Sequence, residues 1–384
     1  MPLIQKKPDN MRIVHIANGN SIHTQRWVNY FARNGHQVHL ISVKEMAGYD
    51  DNVHIHLLKR LSPRMWTLSK YLSFLVLVFQ ARKLVRTIRP DIVNGQYISV
   101  YGLLTAFSGF HPMVNTAMGS DILIDPKRNL LRRFFIKYVL KKSDIIIYDS
   151  ETVKKELIEL GTDPAKMRLV LNGVDTQKFS PTMKNEDIRN RWHVGRAPLA
   201  ICFRAFKPVY NVETVIRAIP LVLSQLADAK FIIGGDGELS EQLKSLVVSL
   251  GISEAVRFTG FIPYDEVPGY LASSDVYVST SFSDSTSLSL QEAMACALAP
   301  VVSDLPANRE WITDGENGFI VSQNNIQDLA DRMAYLLKND ELRKRFGRLG
   351  REIIKDRAEY HKEMEGLEKL YEELSPCKQG VVSN

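Results

Sequence analysis

Short apolar runs bounded by Gly, Asn, Asp and Pro recur along the chain, and between them lie longer segments with apolar residues three and four apart. Met11–Ala17, Gln37–Val43, Asp91–Val93, Met113–Ala117, Asp144–Tyr148 and Arg168–Leu171 are nearly continuous apolar runs of strand length. Such runs are expected of strands buried on both faces in a parallel sheet. The first is followed by a helical pattern carrying Trp27, Val28, Phe31 and Ala32, which Asn34-Gly35 ends. Arg64 to Arg89 is apolar nearly all round, predicting a buried crossover helix, and Glu151 to Leu160 predicts another helix. A second series opens at Leu199–Phe203 and continues through Phe231–Gly234 and Asp275–Thr280. Strands alternating with helices predict an α/β chain with two parallel sheets.

Between the two series, Asn172-Gly-Val-Asp175 and Phe179-Ser-Pro181 read as a connection with turn chemistry. The reading is an N-terminal domain over 1–175, a linker over 176–197, a C-terminal domain over 198–357 and a last helix with tail over 358–384. A chain of 384 residues is long enough for two such cores. A hydrophobic content of 45% and a charged content of 24% are ordinary for a soluble globular protein. Three cysteines, Cys202, Cys296 and Cys377, lack metal or redox spacing and fit a reducing compartment. No run reaches the roughly 18 apolar residues of a membrane span, and the basic start of the chain has no apolar core of a secretory signal. A cytoplasmic location follows as the expectation. Cys377 to Asn384 reads as a frayed tail.

Charge enters where it clusters. Lys127 to Lys142 holds seven basic residues and no acid, interleaved with Phe134, Phe135, Tyr138 and Val139. A solvated helix rim and a patch for an anionic membrane surface are both open readings. No nucleic-acid recognition module occurs, so nucleic acid is not expected as a partner.

The richest chemistry lies after the run Asp275–Thr280. Small hydroxyl residues fill a turn, a helical pattern starts at Leu288, and two acids, Asp284 and Glu292, stand seven residues apart. Strand, small-residue turn and helix place backbone N–H groups where anions bind, which points to Ser285, Thr286, Ser287 and Leu288. Taken alone, the residues equally allow Asp284 as a helix cap and Glu292 as a solvated helix residue. Arg204 and Lys207, directly after Leu199–Phe203, are cations suited to a diphosphate. The first βαβ turn, Asn18-Gly19-Asn20-Ser21, lacks G-x-G-x-x-G, so a dinucleotide site is not supported. Gly19 still allows a close backbone approach. No Asp-x-Asp or histidine cluster offers a metal site.

The acid pair with Ala293-Met-Ala-Cys296 and Pro300-Val-Val-Ser303 resembles the acidic motif of retaining glycosyltransferases of family 4. The family usually has Glu where this chain has Asp284, and Gly where it has Ala297. The resemblance covers most of the chain. Met118-Gly119-Ser120-Asp121 is similar to the family's His-Gly-Ser-Asp, with Met118 in place of the histidine. Tyr210-Asn211 stands where Lys-Gly is expected. Gly234-Gly235-Asp236-Gly237 and Gly260-Phe261-Ile262-Pro263 resemble the segments beside the donor nucleoside.

The resemblance implies a GT-B fold, two Rossmann-like domains facing a cleft, with the last helix crossing back to the first domain. It implies a metal-independent hexosyltransferase, with a nucleotide sugar as co-substrate and no cofactor, acting on a glycan or polyprenyl-linked acceptor at the inner face of a membrane. By the same resemblance Asp284, Ser285 and Thr286 face the donor sugar. Gly19, Arg204, Lys207, Ser287 and Leu288 face its phosphates, and Gly235, Phe261, Ile262 and Glu292 its nucleoside. His23, Gly119 and Asp121 fall on the acceptor side, and Asp284, Glu292 and Arg204 form the catalytic set. Two other readings remain: a sugar-nucleotide epimerase of the same fold, and a donor-binding scaffold that has lost catalysis.

Overall fold

The computed structural model describes residues 10–44, 47–59 and 69–375. The start of the chain, the first part of the segment Arg64 to Arg89, and Cys377 to Asn384 lie outside the described residues. The chain divides into two compact units. One comprises residues up to Leu171 together with those from Lys362 on, the other Asn172–His361.

The first unit contains, among the described residues, a seven-stranded sheet. Its strands are β1 (Arg12–Ile16), β2 (Gln37–Ser42), β3 (His54–Leu57), β4 (Ile92–Gln96), β5 (Met113–Thr116), β6 (Ile145–Tyr148) and β7 (Met167–Leu169). They run in the order β3-β2-β1-β4-β5-β6-β7, every pair parallel. The second unit holds β8 (Leu199–Phe203), β9 (Lys230–Gly234), β10 (Val256–Gly260), β11 (Val276–Ser279), β12 (Ala299–Ser303) and β13 (Phe319–Val321). Their order, β10-β9-β8-β11-β12-β13, is likewise parallel throughout. Both sheets are doubly wound, and in such sheets ligands bind beyond the strand ends where the order reverses. Those points are β1/β4 and β8/β11. The expected strands are found. Four others, β3, β10, β12 and β13, are not singled out as strands by the sequence.

The last helix, Tyr360–Leu374, packs within the first unit. Its buried Glu368 accepts hydrogen bonds from Tyr30 Oη at 2.8 Å and Asn34 Nδ2 at 3.2 Å, and pairs with His36 Nε2 at 2.7 Å. Tyr371 stacks on Phe31 with ring centroids 5.1 Å apart.

Two segments differ in character from the expectation. Residues 176–197 are packed into the second unit. Phe179 is fully buried, and the buried Arg189 in helix Glu186–Arg191 donates to Gly195 O at 2.8 Å and Ser273 O at 2.6 Å. Helix Ser69–Ile88 is not buried all round: Leu72, Leu75 and Phe79 are exposed. An apolar run shows that a helix is apolar on many faces, and says nothing of whether a neighbour covers each.

Helix Leu288–Ala295 ends in a Schellman motif, with Leu298 N donating to Ala293 O at 3.0 Å and Ala297 N to Met294 O at 2.9 Å. Ala297, at the position where the family has glycine, adopts φ 60°. The methyl group makes that left-handed conformation unfavourable by about 1–2 kcal/mol, while glycine would lose roughly 0.5–1 kcal/mol more backbone entropy on folding. Ala297→Gly is therefore expected to stabilise the second unit by about 0.5–1 kcal/mol. Chemical denaturation of the two proteins side by side checks this, and an unchanged or lowered midpoint would refute it.

Candidate active site

The loops after β8 and β11, neighbours at the reversal point of the second sheet, meet on Arg204. Its side chain is only 8% exposed. Nη1 donates to Ser287 Oγ at 2.7 Å and to Ser289 Oγ at 3.0 Å, and Nη2 donates to Asp284 Oδ2. The ring of Tyr210 covers the guanidinium, 4.2 Å from its carbon. Burial is the largest single influence and works against the cation, but the charges of Asp284, Tyr277 and Tyr210 and the hydrogen bond to Asp284 together outweigh it and hold the guanidinium protonated above its ordinary range. Nε is buried and has no acceptor among the described residues.

The helix start explains how the hydroxyl groups reach the arginine. Ser287 is the N-cap of helix Leu288–Ala295, its Oγ accepting from Leu290 N at 3.4 Å. Asp284 is therefore not the cap; it lies in the turn and faces Arg204. Ser289, in the first turn, also meets Tyr277 Oη at 2.8 Å. A tyrosine inside the fully buried strand β11 needs such a partner, and this one fixes the serine that fixes the arginine. Ser285 and Ser287 are buried, and Thr286 and Leu288 are half-buried.

Glu292 lies further along the same helix and is buried, not solvated. Tyr264 Oη donates to its Oε1 at 2.8 Å. Tyr264 in turn sits beneath Lys178 Nζ, 4.5 Å from the ring centre, and against Phe179. Lys207 is exposed and has no carboxylate partner among the described residues. Gly235 has φ 140°, and a Cβ there would stand 2.1 Å from Arg204 O. Its N–H donates to Gly260 O at 3.0 Å, and Arg204 N donates to Gly234 O at 3.1 Å. The glycine turn is thus required by the loop that presents Arg204. Phe261 follows β10 with its side chain 80% exposed, and Ile262 is half-buried. Asn211, where the family has glycine, is left-handed at φ 48° and donates Nδ2 to Thr280 O at 3.2 Å. Asparagine tolerates that conformation better than most residues.

The first unit holds the other named residues. Gly19 is buried, its N–H donating to Ser42 Oγ at 3.1 Å and its carbonyl accepting from Tyr49 Oη at 2.7 Å. Both of its backbone groups are thus engaged internally. His23 is half-buried in helix Ile22–Arg33. Gly119, at φ 97°, precedes the short helix Ser120–Leu123. Asp121 is fully buried and turned inward. It accepts from Ile98 N at 2.6 Å and Met118 N at 2.9 Å, so it clamps the loops after β4 and β5 together. Burial pushes its pKa up to about 7, against the lowering effect of those two amides.

Sequence reasoning brought Arg204, Asp284 and Ser287 to one point. It marked Tyr210 only as standing where the family has lysine, not as the ring over Arg204, and it missed Tyr264, Tyr277 and Ser289; the polar tyrosine in an apolar strand was the one available signal. No group of three or more His, Cys, Asp or Glu placed to hold a metal occurs among the described residues.

The family model "Glycosyl transferase 4-like" matches residues 12–150, and "Glycosyl transferases group 1" matches residues 184–353. One falls on each unit. A parallel-sheet pair of this topology with these matches defines a glycosyltransferase of the GT-B class. The chain belongs to the group 1 glycosyltransferases of family 4. An uncharacterized glycosyltransferase of Methanocaldococcus jannaschii is 29% identical over 308 residues, 79% of this chain and 82% of that protein. A GDP-mannose-dependent α-(1-6)-phosphatidylinositol monomannoside mannosyltransferase of Mycobacterium tuberculosis is 24% identical over 59% of this chain and 60% of its own length. Among solved structures, Anabaena HepE in complex with UDP-glucose has a TM-score of 0.79 at 16% identity. It covers 95% of this chain and 100% of that one. This last likeness is one of fold.

Two predictions test the geometry. Asp284→Ala leaves a buried guanidinium without its carboxylate, and is expected to destabilise the ligand-free protein by about 2–3 kcal/mol. Thermal unfolding measures this, and a loss under about 0.5 kcal/mol would mean Arg204 is satisfied without Asp284. For Asp121, the folded state holds its proton up to about pH 7, whereas an unfolded carboxyl releases it near pH 4. Its contribution to stability is full below about pH 4 and is lost as pH rises through 7. The stability of wild type relative to Asp121→Asn should therefore fall by about 2 kcal/mol between pH 5 and pH 8. A difference that is flat, or rises with pH, sinks the assignment.

Proposed function

We propose that this enzyme is a retaining transferase that moves a hexosyl or N-acetylhexosaminyl unit from a nucleotide sugar to a glycan or polyprenyl-linked acceptor in cell-surface glycan synthesis. The observation that carries the reading is the constellation on Arg204. A fixed guanidinium, with a buried Nε–H lacking an acceptor, stands at the start of a helix in the crevice where the strand order reverses. Growing negative charge on a departing diphosphate is stabilised by such preorganised donors. Arg204, the first-turn amides of helix Leu288–Ala295 and the exposed Lys207 supply them in this proposal. No metal or cofactor enters it.

Asp284 and the turn Ser285-Thr286 take the donor sugar hydroxyls. Glu292, oriented by Tyr264, takes the ribose diol, since one carboxylate accepts two hydrogen bonds. In the transfer step the anomeric carbon–oxygen bond to phosphate breaks, and the acceptor oxygen bonds to the same face of the sugar. The acceptor's hydroxyl proton passes to a departing phosphate oxygen. The relatives' names divide between GDP-mannose and UDP-glucose, so the base is a matter for experiment. A second reading, a donor-binding subunit without transfer, draws on Tyr210, which places a ring where the family has a lysine.

Thermal unfolding with UDP, GDP and dTDP, for wild type, Glu292→Ala and Arg204→Ala, is the test. One nucleotide at 100 times its dissociation constant should stabilise wild type by about 2.7 kcal/mol, and neither variant. No shift in millimolar excess of any nucleotide would overturn the donor site. A shift without sugar transfer to any acceptor would favour the second reading.

A further inference from the structure

We propose that the helical face of the first unit carrying helices Ser69–Ile88 and Leu130–Lys142 docks on an anionic lipid bilayer. The inference goes beyond the sugar-transfer reading and needs neither donor nor acceptor.

Both helices cover the same face of the first sheet. The β3-to-β4 and β5-to-β6 crossovers run in the same direction across the strand order, and right-handed crossovers then put their helices on one side. Helix Tyr101–Ser108 lies between them and is touched from both sides: Phe107 meets Phe74 at 6.3 Å and Tyr138 at 5.4 Å between ring centres.

Each helix leaves large apolar side chains in solvent. On the first, Leu72, Leu75 and Phe79 are exposed, Phe79 by 72%. At about 100° per residue they share one arc with the exposed Arg82, Lys83 and Arg86, apolar toward one end and basic toward the other. A concavity of about 770 Å³ beside them is lined by Phe79, Arg82, Lys83, Arg86, Thr87 and Arg89. On the second helix Leu130, Leu131 and Phe134 are exposed, Leu130 by 85%, on an arc that also presents Lys137, Lys141 and Lys142.

Charge decides the occupant. Segments 69–90, 101–113 and 127–143 contain twelve Lys and Arg and no Asp or Glu. Some of these cations are paired with carboxylates outside these segments: Lys127 with Glu156, and Arg128 and Arg132 with Asp125. Arg82, Lys83, Arg86, Arg133, Lys137, Lys141 and Lys142 have no carboxylate partner among the described residues. A surface that combines unpaired cations with protruding Leu and Phe fits the headgroup and acyl boundary of an anionic bilayer, which supplies both partners at once. A solvated rim would not need the apolar side chains, and a protein groove would not need so uniform a charge.

Sedimentation with phosphatidylcholine vesicles, and with vesicles also containing phosphatidylglycerol, tests the proposal on the full chain. Wild type is expected to bind the anionic vesicles at least ten-fold more strongly. Lys83→Glu with Arg86→Glu, and separately Lys137→Glu with Lys141→Glu, should each weaken that binding by roughly ten-fold or more. Phe79→Ser with Phe134→Ser should abolish the part that survives high salt, where exposed charges are screened. All variants sit on exposed positions, and an unchanged melting temperature and nucleotide response show that they are folded. Equal binding to both vesicles, no binding, or charge-reversed variants that bind as wild type would each overturn the proposal. So would capture by a soluble polyanion such as heparin with none by vesicles. None of these outcomes bears on the nucleotide shift of the preceding section, so the two readings fail separately.

Discussion

A guanidinium held away from water must have its charge answered nearby, and the second unit is arranged around that requirement. Arg204 leaves the end of β8 and finds Asp284, Ser287 and Ser289 on the segment leaving β11. These two strands are adjacent because the sheet reverses its order there. The three acceptors fall within six residues because a turn passes directly into a capped helix. The cap, the turn and the strand ends are thus tied by one cation. The glycine turn after β9 belongs to the same constraint. With Gly235 packed against the Arg204 carbonyl, the loops after β8 and β9 can lie against each other at the strand ends, which a side chain at 235 would prevent.

The departures from the family pattern become intelligible as backbone geometry. Asn211 and Ala297 both stand where glycine is usual, and both keep the left-handed conformation glycine would adopt. What persists is the path of the chain, and the residue adjusts to it. Asparagine gains a compensating hydrogen bond to Thr280 O, whereas alanine at the helix end has no polar group with which to gain one. Tyr210 is a different case. It exchanges a cation for a ring laid on Arg204, replacing charge near the site with a cation–π contact.

The layered architecture was legible in the sequence because buried parallel strands are nearly continuous apolar runs. Asp284 and Glu292 were singled out by the family resemblance, since strand, turn and helix alone left a cap and a solvated helix residue equally open. The partners that orient them were not. Tyr264 reaches Glu292 across 28 residues, and Tyr277 reaches Ser289 across 12; such pairings are set by the fold and leave no periodic trace. Strand β12 begins Ala299-Pro300, and β3 alternates His and apolar residues at a sheet edge, so neither resembles a buried run. Asp121 illustrates the converse. Its motif reads as a ligand loop, yet its carboxylate faces inward and binds two backbone amides.

Positive charge at the site is stored rather than displayed. Arg204 is already paired with Asp284, and its flat face is covered by Tyr210, so the site shows less bare charge than the sequence suggests. This arrangement suits a group that must hold one position while charge develops opposite it. An arginine fixed by three acceptors and a ring has little freedom left to lose, and in the proposed reaction it would be a donor that needs no rearrangement. The exposed Lys207 is the contrasting element. It carries an exposed charge on the same loop with no carboxylate partner among the described residues, suited to attracting an anion but not to placing it. Burial alone makes Arg204 and Lys207 unequal in consequence, although the sequence presents them three residues apart.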